Sequence, residues 1–103
     1  LADIENITPI KTDSLTEEIH FTLLRNGNFS LYGNVALFEK TTAGLGQRIG
    51  FIRGIALYNP TLKRLVKVRL DTPQDLKGKT LLLRYEENEK YGGTNLIEKI
   101  VSF

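Results

Sequence analysis

From Ile19 to Val101 apolar residues recur at every second position in short runs, and each run is cut off by Gly, Asn, Pro or Asp. A period of two sends successive side chains to opposite faces of an extended strand, whereas a helix needs apolar positions three and four apart. The pattern predicts an all-β chain. Ile19, Phe21 and Leu23 alternate with His20 and Thr22 until Arg25-Asn26-Gly27-Asn28, where Asn-Gly signals a hairpin because both residues accept positive φ. Phe29, Leu31, Val35 and Leu37 then share a face with Gly33, whose mid-strand position marks an expected bulge. Ile49, Phe51, Ile55 and Leu57 continue the alternation through Gly50 and Gly54, with a bend or register change expected near Gly54.

Asn59-Pro60-Thr61 reads as a turn, since Asn caps its own backbone and Pro fixes φ. Beyond it Val66, Val68 and Leu70 face inward, and Lys67 and Arg69 face outward. Leu81-Leu82-Leu83-Arg84-Tyr85 is apolar almost throughout, which suits a central strand buried on both faces, and Leu96 to Val101 closes the chain as a last strand. Ile4 to Ile10 contains Pro9, which cannot donate to a ladder, so it reads as an edge strand. Thr12 to Thr16, Thr41 to Gly46, Asp71 to Lys79 and Glu86 to Thr94 are the expected loops, with Leu76 tucked back into the core. Seven regularly spaced strands predict an antiparallel β-sandwich, with Phe21, Leu23, Leu31, Val35, Phe51, Val66, Val68, Leu81 and Leu83 in one core.

A chain of 103 residues is the size of one domain, 1–103, able to fold without staples or a cofactor. Hydrophobic residues at 41% and charged residues at 25% exclude disorder, and no apolar run approaches the ~20 residues of a spanning helix. Zero cysteines remove disulfides and thiolate chemistry, and the single His20 leaves little for a histidine metal site. With no methionine and Leu1 as first residue, the chain reads as a mature product or an excised domain.

Several segments together resemble a family. Ile19 to Asn28 ending in its Asn-Gly turn, Leu31-Tyr32-Gly33-Asn34-Val35, Asn59-Pro60 before Val66-Lys67-Val68, and Leu76-Lys77-Gly78-Lys79 before Leu81 to Tyr85 are similar to immunoglobulin-like domains of bacterial extracytoplasmic proteins. Within these the resemblance is to the small sandwich domain of the periplasmic pilus-chaperone (PapD-like) type. It implies a seven-stranded immunoglobulin-like sandwich in the periplasm or at the cell surface, working in pilus-type assembly. Such chaperones anchor a subunit's carboxylate with a basic pair between two domains. This single domain offers no residue to match that pair.

The charge is distributed unevenly. Between Lys63 and Arg84 stand Lys63, Arg64, Lys67, Arg69, Lys77, Lys79 and Arg84 against Asp71 and Asp75 only, and Glu86, Glu87 and Glu89 follow at once. Lys63, Arg64, Lys67, Arg69 and Arg84 are therefore the candidate partner-binding residues, with lysines that guard a sheet edge as their structural reading. No nucleophile with its base, no acid/base carboxylate pair and no metal cluster can be assembled, so no catalytic, cofactor or metal residue is assigned. Gly44-Leu45-Gly46 lacks the helix that a phosphate loop needs.

The expected function is a non-catalytic interaction or assembly module that contacts another protein or a neighbouring domain. It would do so by β-strand addition at Leu96 to Val101 or at Ile4 to Ile10. Two alternatives stand beside it: an OB-like nucleic-acid binder using residues 63–84, and a carbohydrate-binding module using Tyr32, Tyr58 or Tyr91. Asn6 and Asn28 each begin a glycosylation acceptor triplet.

Overall fold

Each alternating run becomes a strand in a computed structural model of the chain, which describes residues 2–27, 30–88 and 96–103. Within them lie seven strands and no helix: β1 (Ala2–Thr12), β2 (Leu15–Arg25), β3 (Leu31–Thr41), β4 (Gly44–Leu57), β5 (Lys63–Gln74), β6 (Thr80–Glu87) and β7 (Leu96–Ser102). Among the described residues no helix is long and apolar enough to cross a membrane. Every pairing is antiparallel, in the order β1-β2-β5-β4-β3-β6-β7. β4 meets β5 through one pair only, Gly50 with Leu70. The outermost strands β1 and β7 approach each other where Lys99 Nζ lies 3.2 Å from Asp3 Oδ1, so the sheet curls into a nearly closed, barrel-like layer.

The inward positions of that layer form one core. Phe21 and Leu23 of β2, Val35 and Leu37 of β3, Val66 and Val68 of β5, and Leu81, Leu83 and Tyr85 of β6 are all buried there, and Leu76 closes it from the β5–β6 connection. β6 is central, between β3 and β7, as its apolar run predicts. Burial pushes the Tyr85 phenol above its ordinary pKa, with the nearby Glu87 charge adding to the shift. The hydroxyl points at the Ile55 carbonyl, 3.5 Å away.

Five features differ from the sequence expectation. Asn26-Gly27 is not a hairpin turn, because β2 and β3 do not pair and the chain passes there between strands that are not neighbours. β5 runs on through Asp71 to Gln74, where a loop was expected. The loop expected over Thr12 to Thr16 is a two-residue turn, because Thr12 already pairs with Leu15 and Asp13 takes a positive φ of 56°. Aspartate tolerates that conformation through local hydrogen bonding. The segment Thr41 to Gly46 is tight for the same kind of reason: Thr41 pairs with Gly44, whose φ is 121°. The largest difference is Phe51, expected in the core and found half-buried on the outer face.

A bulge turns Phe51 outward. Leu37 pairs with Gly50 and Phe38 with Arg48, so Ile49 is an extra residue in β4, and Ile49 and Gly50 both face the core. An inserted residue shifts the phase of alternation by one. Arg48 and Phe51, which strict alternation would separate, therefore share the outer face.

A second irregularity, near Gly54 as expected, places Arg53 and Gly54 opposite Asn34. There the Gly54 N–H donates to Asn34 Oδ1 (3.0 Å), and the added residue returns Ile55 to the core. Gly33 is required by the approach of β6: a Cβ there would lie 2.3 Å from the Glu86 carbonyl oxygen.

The end of the sheet near the β4–β5 turn is tied by a buried arginine. Arg25, 3% exposed, donates from Nε to the Thr61 carbonyl (2.9 Å) and from a terminal nitrogen to the Gly27 carbonyl. Thr61 itself donates its N–H to the Tyr58 carbonyl (2.8 Å), closing the expected turn at Asn59 and Pro60. Carbonyl acceptors offset the desolvation of the guanidinium.

Two substitutions test this packing by urea unfolding. Gly33→Ala forces backbone apart and is expected to cost about 2–3 kcal/mol; an unchanged midpoint would show that β3 and β6 can separate freely. Thr16 is buried with its hydroxyl unpartnered among the described residues. Thr16→Val should therefore stabilise by about 1 kcal/mol, and a loss of stability would reveal a partner for that oxygen.

Candidate functional site

The five basic residues singled out in the sequence do not form one site. On β5 the buried Val66, Val68 and Leu70 leave Lys63, Lys67 and Arg69 on the outer face, with Leu65 exposed among them. Arg64 leaves this strip and donates to the Ala56 carbonyl of β4 (2.8 Å), bridging the gap between two barely paired strands. Arg84 lies on β6, with β4 and β3 intervening, and its Nε donates to Glu98 Oε2 at 2.7 Å. Adjacency in sequence had joined what the strand order separates.

Next to the remaining strip, Lys67 pairs in register with His20 and Arg69 with Glu18. Glu18 Oε1 and His20 Nε2 lie 2.9 Å apart. The His20 hydrogen bond, more than Arg69 and Lys67, holds the Glu18 carboxyl below the usual carboxylate range. His20 thus has a surface partner, and no group of three His, Asp or Glu side chains gathers as metal ligands among the described residues.

A second surface, invisible to the alternation, occupies the outer face of β4, β3 and β6. Arg48 lies with its guanidinium carbon 4.6 Å from the centre of the Phe51 ring, and Arg53 approaches the same ring at 5.9 Å. Across the strands Arg84 sits 5.1 Å from the centre of the Phe38 ring. Between the two rings Ala36 forms the floor of a shallow cup of about 160 Å³, with Asn34 and Glu86 at its far side. Arg48 and Arg53 enter no ion pair among the described residues. Strict alternation gave no signal for this cup, since it places Phe51 in the core. Of the aromatics named as candidate carbohydrate contacts, Tyr32 is half-buried on β3, Tyr58 is exposed beyond β4, and Tyr91 lies outside the described residues.

The third surface is an edge. β1 and β7 each pair on one side only. β1 carries Pro9 and a bulge between Glu5 and Thr8, where Asn6 has a φ of 57°. β7 pairs with β6 without a register break and contains neither Pro nor Gly. The Phe103 N–H donates to the Lys79 carbonyl (3.0 Å). That bond sets the ladder phase: Ile97, Lys99 and Val101 turn their backbone groups to β6, while Glu98 and Ile100 turn theirs to the open side. Asn6, on the exposed β1 bulge, is the described acceptor triplet, and Asn28 lies outside the described residues.

Compared with protein-family models and with curated proteins, the chain matches none.

The Asp3 contacts at the β1–β7 seam are expected to weaken in acid. Asp3 accepts from the Ile4 N–H (2.8 Å) and pairs with Lys99, and these two contacts, the backbone one foremost, hold its carboxyl below the usual range. A lowered folded-state pKa means that the contribution is present above the unfolded pKa and lost as pH falls through the folded one. Asp3→Asn at neutral pH should therefore reproduce the acid form, with faster Ile4 amide exchange by NMR. Unchanged exchange in that variant would detach the seam from Asp3.

Proposed function

We propose that the chain is a non-catalytic, immunoglobulin-like β-sandwich module that binds another protein, or a neighbouring domain, by accepting a strand at its β7 edge. The sandwich reading is supported by the strand order, since β1-β2-β5 and β4-β3-β6-β7 form two sets joined by the single Gly50–Leu70 pair. The observation that carries the function is the contrast between the edges: β7 is regular and free of Pro and Gly, with outward-turned backbone groups at Glu98 and Ile100, whereas β1 is protected by Pro9 and a bulge. Edges left in that state pair readily with an incoming strand.

The PapD-like resemblance agrees with this use and carries with it a periplasmic or surface location and a chaperone-like part in assembly. An OB-like nucleic-acid reading has less support, because Arg64 and Arg84 leave the strip it would need.

The test is an NMR titration with an end-blocked peptide of alternating valine and threonine. Protection is expected at the Glu98 and Ile100 amides. Ile100→Pro removes one outward donor without removing a bond to β6, and should abolish binding while the fold persists. Protection appearing on β1 or β5 instead, or binding that survives Ile100→Pro, would rule the edge out.

A further inference from the structure

We propose that the cup between Phe38 and Phe51 is a docking site for an acidic peptide segment of a partner protein, a surface separate from the β7 edge. Two arginines line it, Arg48 over the Phe51 ring at 4.6 Å and Arg84 over the Phe38 ring at 5.1 Å, and Arg53 flanks it from the other side of Phe51 at 5.9 Å. Stacking restricts a guanidinium to a plane while leaving its edge donors directed outward, so less freedom is lost when a carboxylate binds across the fork. Arg84 already holds Glu98, and Glu86 stands at the far side of the cup, but Arg48 and Arg53 enter no ion pair among the described residues, so the Phe51 side of the cup carries the excess positive charge. The small floor at Ala36 leaves room for one side chain between the rings.

The composition is that of an interaction centre rather than of a solvated face, since arginine and aromatic residues are enriched where protein interfaces concentrate their energy. The fold also places the cluster by a device. Without the bulge at Ile49, Arg48 and Phe51 would lie on opposite faces, and bulges recur where a side chain must be re-aimed. A nucleic-acid strand suits the cup less well, because the faces on which bases would stack are already covered by guanidinium groups.

The experiment uses the whole chain and three probes: end-blocked hexaglutamate, end-blocked hexalysine and single-stranded oligothymidine, followed by calorimetry and by the arginine Nε–H signals in NMR. Hexaglutamate is expected to bind and to shift the Arg48, Arg53 and Arg84 signals, and hexalysine to show no binding. Arg48→Ala with Arg53→Ala should weaken hexaglutamate about tenfold, the loss expected for truncating charged interface contacts. Arg48→Lys with Arg53→Lys, which keeps charge but not the fork, should lose several-fold.

Lys67→Ala with Arg69→Ala, on the other side of the sheet, should leave binding unchanged, as should Ile100→Pro at the edge. Both arginines are exposed, so the variants are expected to retain the native spectrum. Absence of hexaglutamate binding, an equal loss from the Lys67 and Arg69 pair, or tighter binding of oligothymidine would each overturn the assignment.

Discussion

The arrangement of this molecule depends on the close approach of β4 and β5 at Gly50. A side chain there would meet Leu37 Cδ1 at 3.1 Å, the Arg69 carbonyl oxygen at 3.2 Å and Val68 Cγ1 at 3.3 Å. With only hydrogen in that space, β4 can touch β5 at one pair and then diverge, and the sheet bends around a single core instead of continuing flat. The same residue, with Ile49, completes the inward-facing doublet of the bulge. Closure of the core and exposure of Phe51 with its arginines thus share one cause.

Stability and geometry are divided between different residues. The core residues are apolar and nearly all inaccessible, so burial supplies the driving force for folding. The polar contacts lie mostly at margins: Asp3 with Lys99 across the seam, Arg64 with Ala56 across the β4–β5 gap, Arg84 with Glu98 on an outer face. Exposed pairs of this kind are screened by solvent and fix orientation more than they stabilise. Arg25 is the exception, buried among carbonyls, and it fastens two turns that come from distant parts of the chain.

Strict alternation made much of the fold legible. Ile19, Phe21 and Leu23 faced inward as their spacing required, Leu81 to Tyr85 became a central strand because both of its faces are covered, and Leu76 closed the core from a loop. Phe51 failed because period-two reading assumes one residue per step, and a bulge breaks that count without changing composition. Lys63 to Arg84 failed as a unit for another reason: nearness along the chain says little about neighbours in a sheet ordered β5-β4-β3-β6. The cup of Arg48, Phe51 and Arg53 was therefore present in the sequence as residues but not as a surface. Gly33 showed the reverse: it was expected to mark a bulge, yet the extra residue lies in β4, and what requires a glycine there is the passing backbone of β6.

The asymmetry between the two outer strands bears on the proposed strand addition wherever two copies of this chain meet. If the bare β7 of one copy meets the bare β7 of another, the contact is used up on both sides and growth stops at a two-fold pair. Head-to-tail growth would need β1 to accept β7, and the proline and kinked backbone of β1 deny it a continuous row of donors. On the proposed use of β7, the seven described strands would leave one margin open to pairing without the means to polymerise along it.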